Sequence, residues 1–255
     1  MLFQDKPFNV KNMQKTPPGR KIGNRYLFSS GRIVTDKSGS PLEYESGLEK
    51  DILSLLIFDN TVKSIKTQPF TINWHDGKKW KKYTPDILVE FIHPKDEKKK
   101  IKTVVFEVKP VAKLKEDWKN LKQKYKEARK WCQEREFVFK LITDEYINKI
   151  YTKNIYFLLQ YDNLKQPCPI ELLNTARIEI LSILSKEPKT IIELLANFKN
   201  KYSLEDLLPL IWLMIRNSEI HTDLHEKLSN STIIFLNKEN SDYNFLQSEI
   251  RSRLK

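Results

Sequence analysis

Lys102-Thr103-Val104-Val105-Phe106-Glu107-Val108-Lys109 is the stretch from which the fold can be built outward. Its β-branched and aromatic residues predict a strand over residues 102–108. Because side chains alternate between the faces of a strand, Glu107 and Lys109 point to one face, and Phe106 and Val108 point to the other. A carboxylate and an amine therefore share one site at the end of an apolar strand.

The neighbouring segments predict an α/β domain with the order helix, three strands, helix, strand, written αβββαβ. Apolar residues recur at helical spacing in the two predicted helices, whereas the four predicted strands are rich in β-branched and aromatic residues. The predicted elements are a helix at 46–58, strands at 62–72, 83–92 and 102–108, a helix at 114–135 and a strand at 137–142.

The character of the chain changes after residue 146. Pro167-Cys168-Pro169 is a break, and helical patterns follow at 170–186, 190–199 and 204–216, with a short hairpin predicted at 220–236. Three helices and a hairpin favour a mainly helical, winged-helix-like domain, with an ordinary helical bundle as the alternative. The predicted organisation is a basic arm at 1–40, a catalytic domain at 41–150, a C-terminal domain at 165–240 and a tail at 241–255.

Composition limits the class of protein. The 255 residues are 40% hydrophobic and carry 45 basic against 33 acidic residues, a formal charge of +12, which favours nucleic acid or an anionic membrane surface as partner. The sequence has no apolar run of about 18 residues and no signal-peptide pattern, so we expect a soluble, cytoplasmic protein with no membrane partner. Cys132 and Cys168 suggest neither a disulfide framework nor a thiolate zinc site.

Tyr83-Thr84-Pro85-Asp86 places a second carboxylate before an apolar strand. If this strand and the strand of Glu107 pair as a hairpin, Asp86 comes beside Glu107, and the two carboxylates repel unless a cation lies between them. Mg²⁺ accepts such a shell of two carboxylates, one backbone carbonyl and waters. Lys109 can then orient or help to deprotonate a nucleophile, which indicates phosphodiester hydrolysis. The alternative is a solvated β-face with cross-strand charge pairing.

Glu49 has two interpretations. Ser46-Gly47-Leu48-Glu49 matches a capping box, in which serine and glutamate satisfy free amides at a helix start. Glu49 also lies on the helix before the sheet, from which a third carboxylate can reach the same metal ion.

Four lysines around Trp80 are candidate contacts to nucleic acid, since they can neutralise phosphates: Lys78, Lys79, Lys81 and Lys82. Lys113 is a fifth candidate. The alternative is a solvated lysine surface. Trp80 can stack on an extruded base, but packing over the hairpin is the favoured interpretation.

Three segments together resemble the TnsA endonuclease of heteromeric transposons: Tyr44-Glu45-Ser46-Gly47-Leu48-Glu49-Lys50-Asp51, Thr84-Pro85-Asp86 and Phe106-Glu107-Val108-Lys109-Pro110. The resemblance covers roughly residues 20–150 and implies a restriction-endonuclease-like fold of the PD-(D/E)xK class. It further implies that Glu49, Asp86 and Glu107 are metal-site acids, that Val108 lends its carbonyl and that Lys109 is the catalytic lysine. Mg²⁺ would be the cofactor, with Mn²⁺ as a substitute.

The same resemblance implies a function within a bacterial, nucleoid-associated assembly. A TnsB-like transposase would join the 3′ ends of the element to target DNA, while this chain nicks the 5′ strands of double-stranded DNA at the transposon ends. The C-terminal domain would contact an AAA+ regulator of the TnsC type. Two alternatives stay open: a stand-alone restriction or repair endonuclease, and a catalytically inactive winged-helix DNA-binding adaptor.

Overall fold

A computed structural model describes residues 30–92, 103–163 and 170–236 of the chain. These residues divide into two compact units, one within Met1–Ile52 and Thr61–Tyr146 and the other within Leu53–Asn60 and Ile147–Lys255. The second unit thus takes residues 53–60, which the sequence had placed in the catalytic domain. Most of the predicted arm and all of the predicted tail lie outside the described residues.

The first unit is a mixed α/β structure built around a four-stranded sheet. Its strands are β1 (Gly31–Ile33), β2 (Leu42–Tyr44), β3 (Val62–Thr67), β4 (Ile72–His75), β5 (Trp80–Tyr83), β6 (Ile87–Phe91), β7 (Val104–Val108) and β8 (Val138–Ile142). Its helices are α1 (Gly47–Phe58) and α2 (Val111–Gln133). The second half of α1 belongs to the second unit.

The main sheet has the strand order β3-β6-β7-β8. The pairs β3–β6 and β6–β7 are antiparallel, whereas β7–β8 is parallel, with α2 as the crossover. The predicted succession of helix, three strands, helix and strand is therefore present. Two hairpins are added to it: β1 pairs with β2, at the end of the predicted arm, and β4 pairs with β5.

The β4–β5 hairpin lies almost wholly between the strands predicted at 62–72 and 83–92 and shares only Ile72 and Tyr83 with them. The strand predicted at 62–72 stops at Thr67, where Gln68 adopts a φ of 45° and donates its amide to the Asp86 carbonyl at 2.8 Å. A positive φ is uncommon outside glycine and turns the chain out of the ladder. Of the strand predicted at 83–92, Tyr83 is the last residue of β5 and residues 87–91 form β6.

Helix α2 covers one face of the sheet. Its buried residues Tyr125, Ala128 and Cys132 pack with Val105 of β7 and Phe139 of β8 in one hydrophobic cluster. Since alternate residues of a strand share a face, the face of Val105 is also the face of Glu107. The packing of α2 thus brings its side chains to the face of the predicted carboxylates.

The second unit is mainly helical. Its helices are α3 (Lys149–Leu159), α4 (Ile170–Leu184), α5 (Ile191–Ala196) and α6 (Leu204–Arg216), and its strands are β9 (Lys189–Thr190) and β10 (Ile233–Ile234). β9 pairs with β10, and His221 forms a bridge with Phe235 in the segment predicted as a hairpin. Within the described ranges, no helix is both long and apolar enough to cross a membrane.

Candidate active site

The β6–β7 register sets the two predicted carboxylates level with each other. Ile87 pairs with Phe106, so the next position of the same antiparallel register puts Asp86 opposite Glu107. Side chains of directly opposite residues lie on the same face, with their Cβ atoms about 4.5–5.5 Å apart. The hairpin pairing on which the sequence argument depended is therefore present.

Asp86 is tied to the end of β7. Its Oδ2 accepts the Val108 amide at 2.7 Å, beyond the last pair of the ladder. Because the N–H and C=O of a strand residue face the same neighbour, the Val108 carbonyl also faces the side of Asp86. Burial and the nearby charge of Glu107 raise the pKa of Asp86 well above its ordinary value.

Glu107 is 3% exposed and accepts hydrogen bonds from three side chains. Tyr83 donates to Oε2 at 2.6 Å, while Lys124 and Tyr125 donate to Oε1 at 2.9 Å and 3.1 Å. Burial and the charge of Glu107 raise the pKa of both tyrosines, which keeps them protonated as donors. The Glu107 carboxylate is thus held in place by three donors.

Lys124 is a site residue that the sequence argument missed. Its ammonium lies 4.4 Å from the centroid of the Tyr83 ring and 4.6 Å from that of Tyr125, in addition to its ion pair with Glu107. The available signal was its position next to the apolar stripe of α2 that includes Tyr125. That signal was weak, because α2 carries many lysines.

Lys109 directly follows β7 and continues its ladder by donating its amide to the Ile142 carbonyl at 2.9 Å. Its side chain shares the face of Glu107 by strand alternation. The structure records neither a hydrogen bond nor an ion pair for its ammonium within the described ranges.

Glu49 takes the capping-box geometry. Its carboxylate accepts the Glu45 amide at 2.7 Å and the Ser46 hydroxyl at 3.0 Å, and Ser46 Oγ accepts the Glu49 amide at 3.1 Å. The pKa of Glu49 is raised because the effect of burial outweighs that of these hydrogen bonds, and the charge of Glu107 adds to the increase. Glu49 is thus near the carboxylate pair, but its oxygens contact its own helix start.

The four lysines around Trp80 lie on the β4–β5 hairpin. Lys78 and Lys79 follow a turn in which Gly77 has a φ of 91° and Asp76 Oδ1 accepts both lysine amides, at 2.9 Å and 2.8 Å. Lys81 and Lys82 belong to β5 rather than to a loop. Lys81 forms an ion pair with Asp76 at 3.5 Å, while the other three lysines are exposed.

Trp80 does not pack over the hairpin as the sequence argument favoured. It is 72% exposed and meets only the edge of the His75 ring among the ring contacts of the described residues, at 5.6 Å between centroids. The reason is the register, since Trp80 opposes His75 and shares its face of the hairpin with Asn73 and Lys82, which are polar. The ring is free to meet a planar partner.

Lys113 lies in the first turn of α2 and already has a partner. Its Nζ is 2.7 Å from Glu116 Oε2, which raises the pKa of Lys113 and lowers that of Glu116. Both side chains are exposed, so solvent screens the pair and leaves its net contribution small.

The donor chemistry of this face suits a hard divalent cation. The repulsion that raises the pKa of Asp86 comes from Glu107 and, more weakly, Glu49, and a cation between these carboxylates would relieve it. In the part of the chain that the structure describes, however, no three His, Cys, Asp or Glu side chains already converge as a metal site. The structure brings Asp86, Glu107 and the Val108 backbone together and leaves Glu49 at its cap.

Two family models match the sequence. A family model described as TnsA-like endonuclease N terminal matches residues 59–144, and one described as TnsA endonuclease C terminal matches residues 146–224. Asp86, Glu107 and Lys109 lie inside the first match, whereas Glu49 precedes it. No curated protein matches the sequence significantly. The two family matches together span more than half of the sequence, and the chain belongs to the TnsA-like endonucleases.

Proposed function

We propose that this chain is a metal-dependent DNA endonuclease that cleaves the 5′, non-transferred strands at transposon ends. The observation that carries the proposal is the placement of Asp86 opposite Glu107 with Lys109 on the same face. The succession of helix, three strands, helix and strand supports a restriction-endonuclease-like fold for this unit. Family membership supports a role in transposition.

Asp86, Glu107 and the Val108 carbonyl would hold Mg²⁺, or Mn²⁺ as a substitute, and Glu49 would complete the set by leaving its cap contacts. When bound, the ion would stabilise the charge that develops on a phosphoryl oxygen and lower the pKa of a bound water. Lys109 would orient the attacking water and assist its deprotonation. Tyr83 and Tyr125 would keep the Glu107 carboxylate oriented.

The β4–β5 hairpin is the proposed contact to double-stranded DNA. Three of its lysines are exposed, and strand β5, which carries one of them, Lys82, ends at Tyr83, which donates a hydrogen bond to Glu107. Phosphate contacts release counterions, so Lys78→Ala and Lys82→Ala should each lower the slope of log affinity against log salt by about 1. Lys113→Ala should change it less because Glu116 already pairs with that ammonium.

For the second unit we propose a winged-helix-like domain that binds a protein partner, an AAA+ regulator of the TnsC type. The order α4, β9, α5, α6 and β10, with β9 paired to β10, supports the fold. The first turn of α6 carries Glu205 and Asp206, and most of the helix is buried. Acidic side chains at that end would repel phosphates, which favours protein over DNA as its partner.

The proposed function is tested by strand-resolved cleavage of DNA that carries the transposon ends, with the cognate transposase and ATPase present in Mg²⁺. Asp86→Ala and Lys109→Ala should each abolish the 5′ cuts while the 3′ cuts remain. Lys122→Ala, an exposed lysine of α2, is the control for loss of a positive charge and should cut as the wild type does.

The other outcomes separate the alternatives. Unchanged 5′ cutting by both site variants would reject the active-site assignment and favour an inactive DNA-binding adaptor. Cutting by the wild type at sites unrelated to transposon ends, without transposase or ATPase, would favour a stand-alone restriction or repair nuclease.

A further inference from the structure

Lys124 occupies a position built for a positive charge. Its Nζ lies 2.9 Å from Glu107 Oε1, 4.4 Å from the centroid of the Tyr83 ring and 4.6 Å from that of the Tyr125 ring. The face of a tyrosine ring attracts a cation through its quadrupole. The same two tyrosines donate their hydroxyls to Glu107, so rings and hydroxyls together surround one ion pair.

We propose that Lys124 is a positioning residue that compensates the charge of Glu107 in the metal-free protein and competes with the divalent ion for that carboxylate. The inference rests on the proposed metal-dependent activity. Lys124, a residue of α2, would then control metal affinity although it is not one of the residues Asp86, Glu107 and Lys109 of the proposed active site.

Charge explains why the metal-free protein needs this lysine. In addition to burial, the charges of Glu107 and Glu49 raise the pKa of Asp86, and the charge of Glu107 contributes to the raised pKa of Glu49. Glu107 itself is almost fully buried. A buried carboxylate without a partner is strongly destabilising. Lys124 supplies that partner, and only 21% of its side chain is exposed.

Lys124 competes with the divalent ion because it occupies a lone-pair site of Glu107 and because its positive charge repels the ion. A carboxylate offers about four lone-pair sites, and Tyr83, Lys124 and Tyr125 take three of those on Glu107. A divalent ion on the remaining site would lie within a few ångströms of the ammonium, in surroundings that screen charge poorly. Lys124 can leave for solvent on its flexible four-carbon stem, whereas Tyr83 can continue to hold Oε2.

The experiment measures Mn²⁺ affinity of the full chain without DNA, by calorimetry, for Lys124→Met and Lys126→Met. Methionine removes the charge but retains an unbranched stem against the rings. Lys126 is an exposed lysine two residues further along α2 and controls for net charge. Lys124→Met should bind Mn²⁺ about tenfold more tightly, within the usual range of coupling between two ligands of one site. Lys126→Met should bind as the wild type does.

A second readout separates competition from a merely structural ion pair. In EDTA, Lys124→Met should unfold at a lower temperature than the wild type, and saturating Mn²⁺ should raise its unfolding temperature by more. Lys124→Arg retains the charge and should keep the wild-type affinity. If Lys124→Met does not fold, Lys124→Gln, which keeps a hydrogen-bond donor, carries the same expectation.

Lower stability with unchanged or weaker Mn²⁺ binding would overturn the inference. Asp86→Ala distinguishes this failure from failure of the proposed function. If the wild type binds Mn²⁺ and Asp86→Ala does not, an unchanged affinity in Lys124→Met rejects the role of Lys124 alone. If no variant shows binding that depends on Asp86, the metal site itself is rejected, and the competition is rejected with it.

Discussion

Tyr83→Phe removes one hydroxyl from the most enclosed contact of the site. That hydroxyl donates to Glu107 Oε2 at 2.6 Å. Tyr83 is 6% exposed and Glu107 is 3% exposed. A hydrogen bond to a charged group contributes about 1.5–3 kcal/mol, and a buried acceptor left unsatisfied adds a desolvation cost. We therefore expect Tyr83→Phe to lower the free energy of unfolding by about 2 kcal/mol. Tyr125→Phe should cost less, about 1 kcal/mol, because Lys124 still donates to Oε1.

The assay is urea unfolding in EDTA, followed by tryptophan fluorescence. Four of the five tryptophans lie in the first unit, so the signal reports mainly on the unit that contains the site. Repeating Tyr83→Phe in a Glu107→Gln background should reduce the loss to about 1 kcal/mol, the value for a neutral hydrogen bond. A loss that is the same in both backgrounds, or larger for Tyr125→Phe than for Tyr83→Phe, would refute the argument.

Three further outcomes follow from contacts away from the carboxylate pair. Ser46→Ala should cost about 1 kcal/mol in urea unfolding by removing the cap of α1, and it should not weaken Mn²⁺ binding, since it releases the Glu49 carboxylate. Burial raises the pKa of the Cys132 thiol to about 12, so a Cys168→Ser variant should resist alkylation at pH 8 until urea unfolds it, and rapid alkylation of the folded protein would contradict this. Arg216→Met should lower the free energy of unfolding of the second unit by about 3 kcal/mol, because it breaks a largely buried ion pair, and a loss below about 1 kcal/mol would contradict the burial argument.

The carboxylate pair could be predicted because strand geometry leaves little choice. Alternation along Phe106-Glu107-Val108-Lys109 determines which side chains share a face, and an apolar strand after Asp86 has few ways to pair with it. The structure follows this argument in the β6–β7 register. Family membership agrees with the resemblance of the three segments.

Other features depended on information that local patterns do not contain. Glutamine itself gives no signal for the positive φ of Gln68, although Pro69 after it cannot donate to a strand ladder and already argues against a continuous strand at 62–72. Lys124 differs from the other lysines of α2 only through the tertiary packing of that helix on the sheet. Glu49 satisfied two patterns at once, and the capping box, which needs no partner outside its own turn, prevails in the structure.

Helix α3 was missed although its signal was present. Asn148 caps it by accepting the amides of Ile150 and Tyr151, both at 3.0 Å. Tyr151, Ile155 and Leu158 then recur at helical spacing on its buried side. The break at residues 167–169 is the stronger signal, and the helical region predicted from it begins only at residue 170.

The β6–β7 pair places its connection and its carboxylates at opposite ends of one ladder. Residues 93–102 join the strands after Ile92, whereas Asp86 and Glu107 lie beyond the pair Ile87–Phe106. At about 3.3 Å per strand residue, roughly 20 Å of strand separates Ile92 from Asp86. The length of that connection can therefore change without altering which side chain faces Glu107. A peptide tag inserted there would report on the protein's location or partners while the carboxylate pair keeps its geometry.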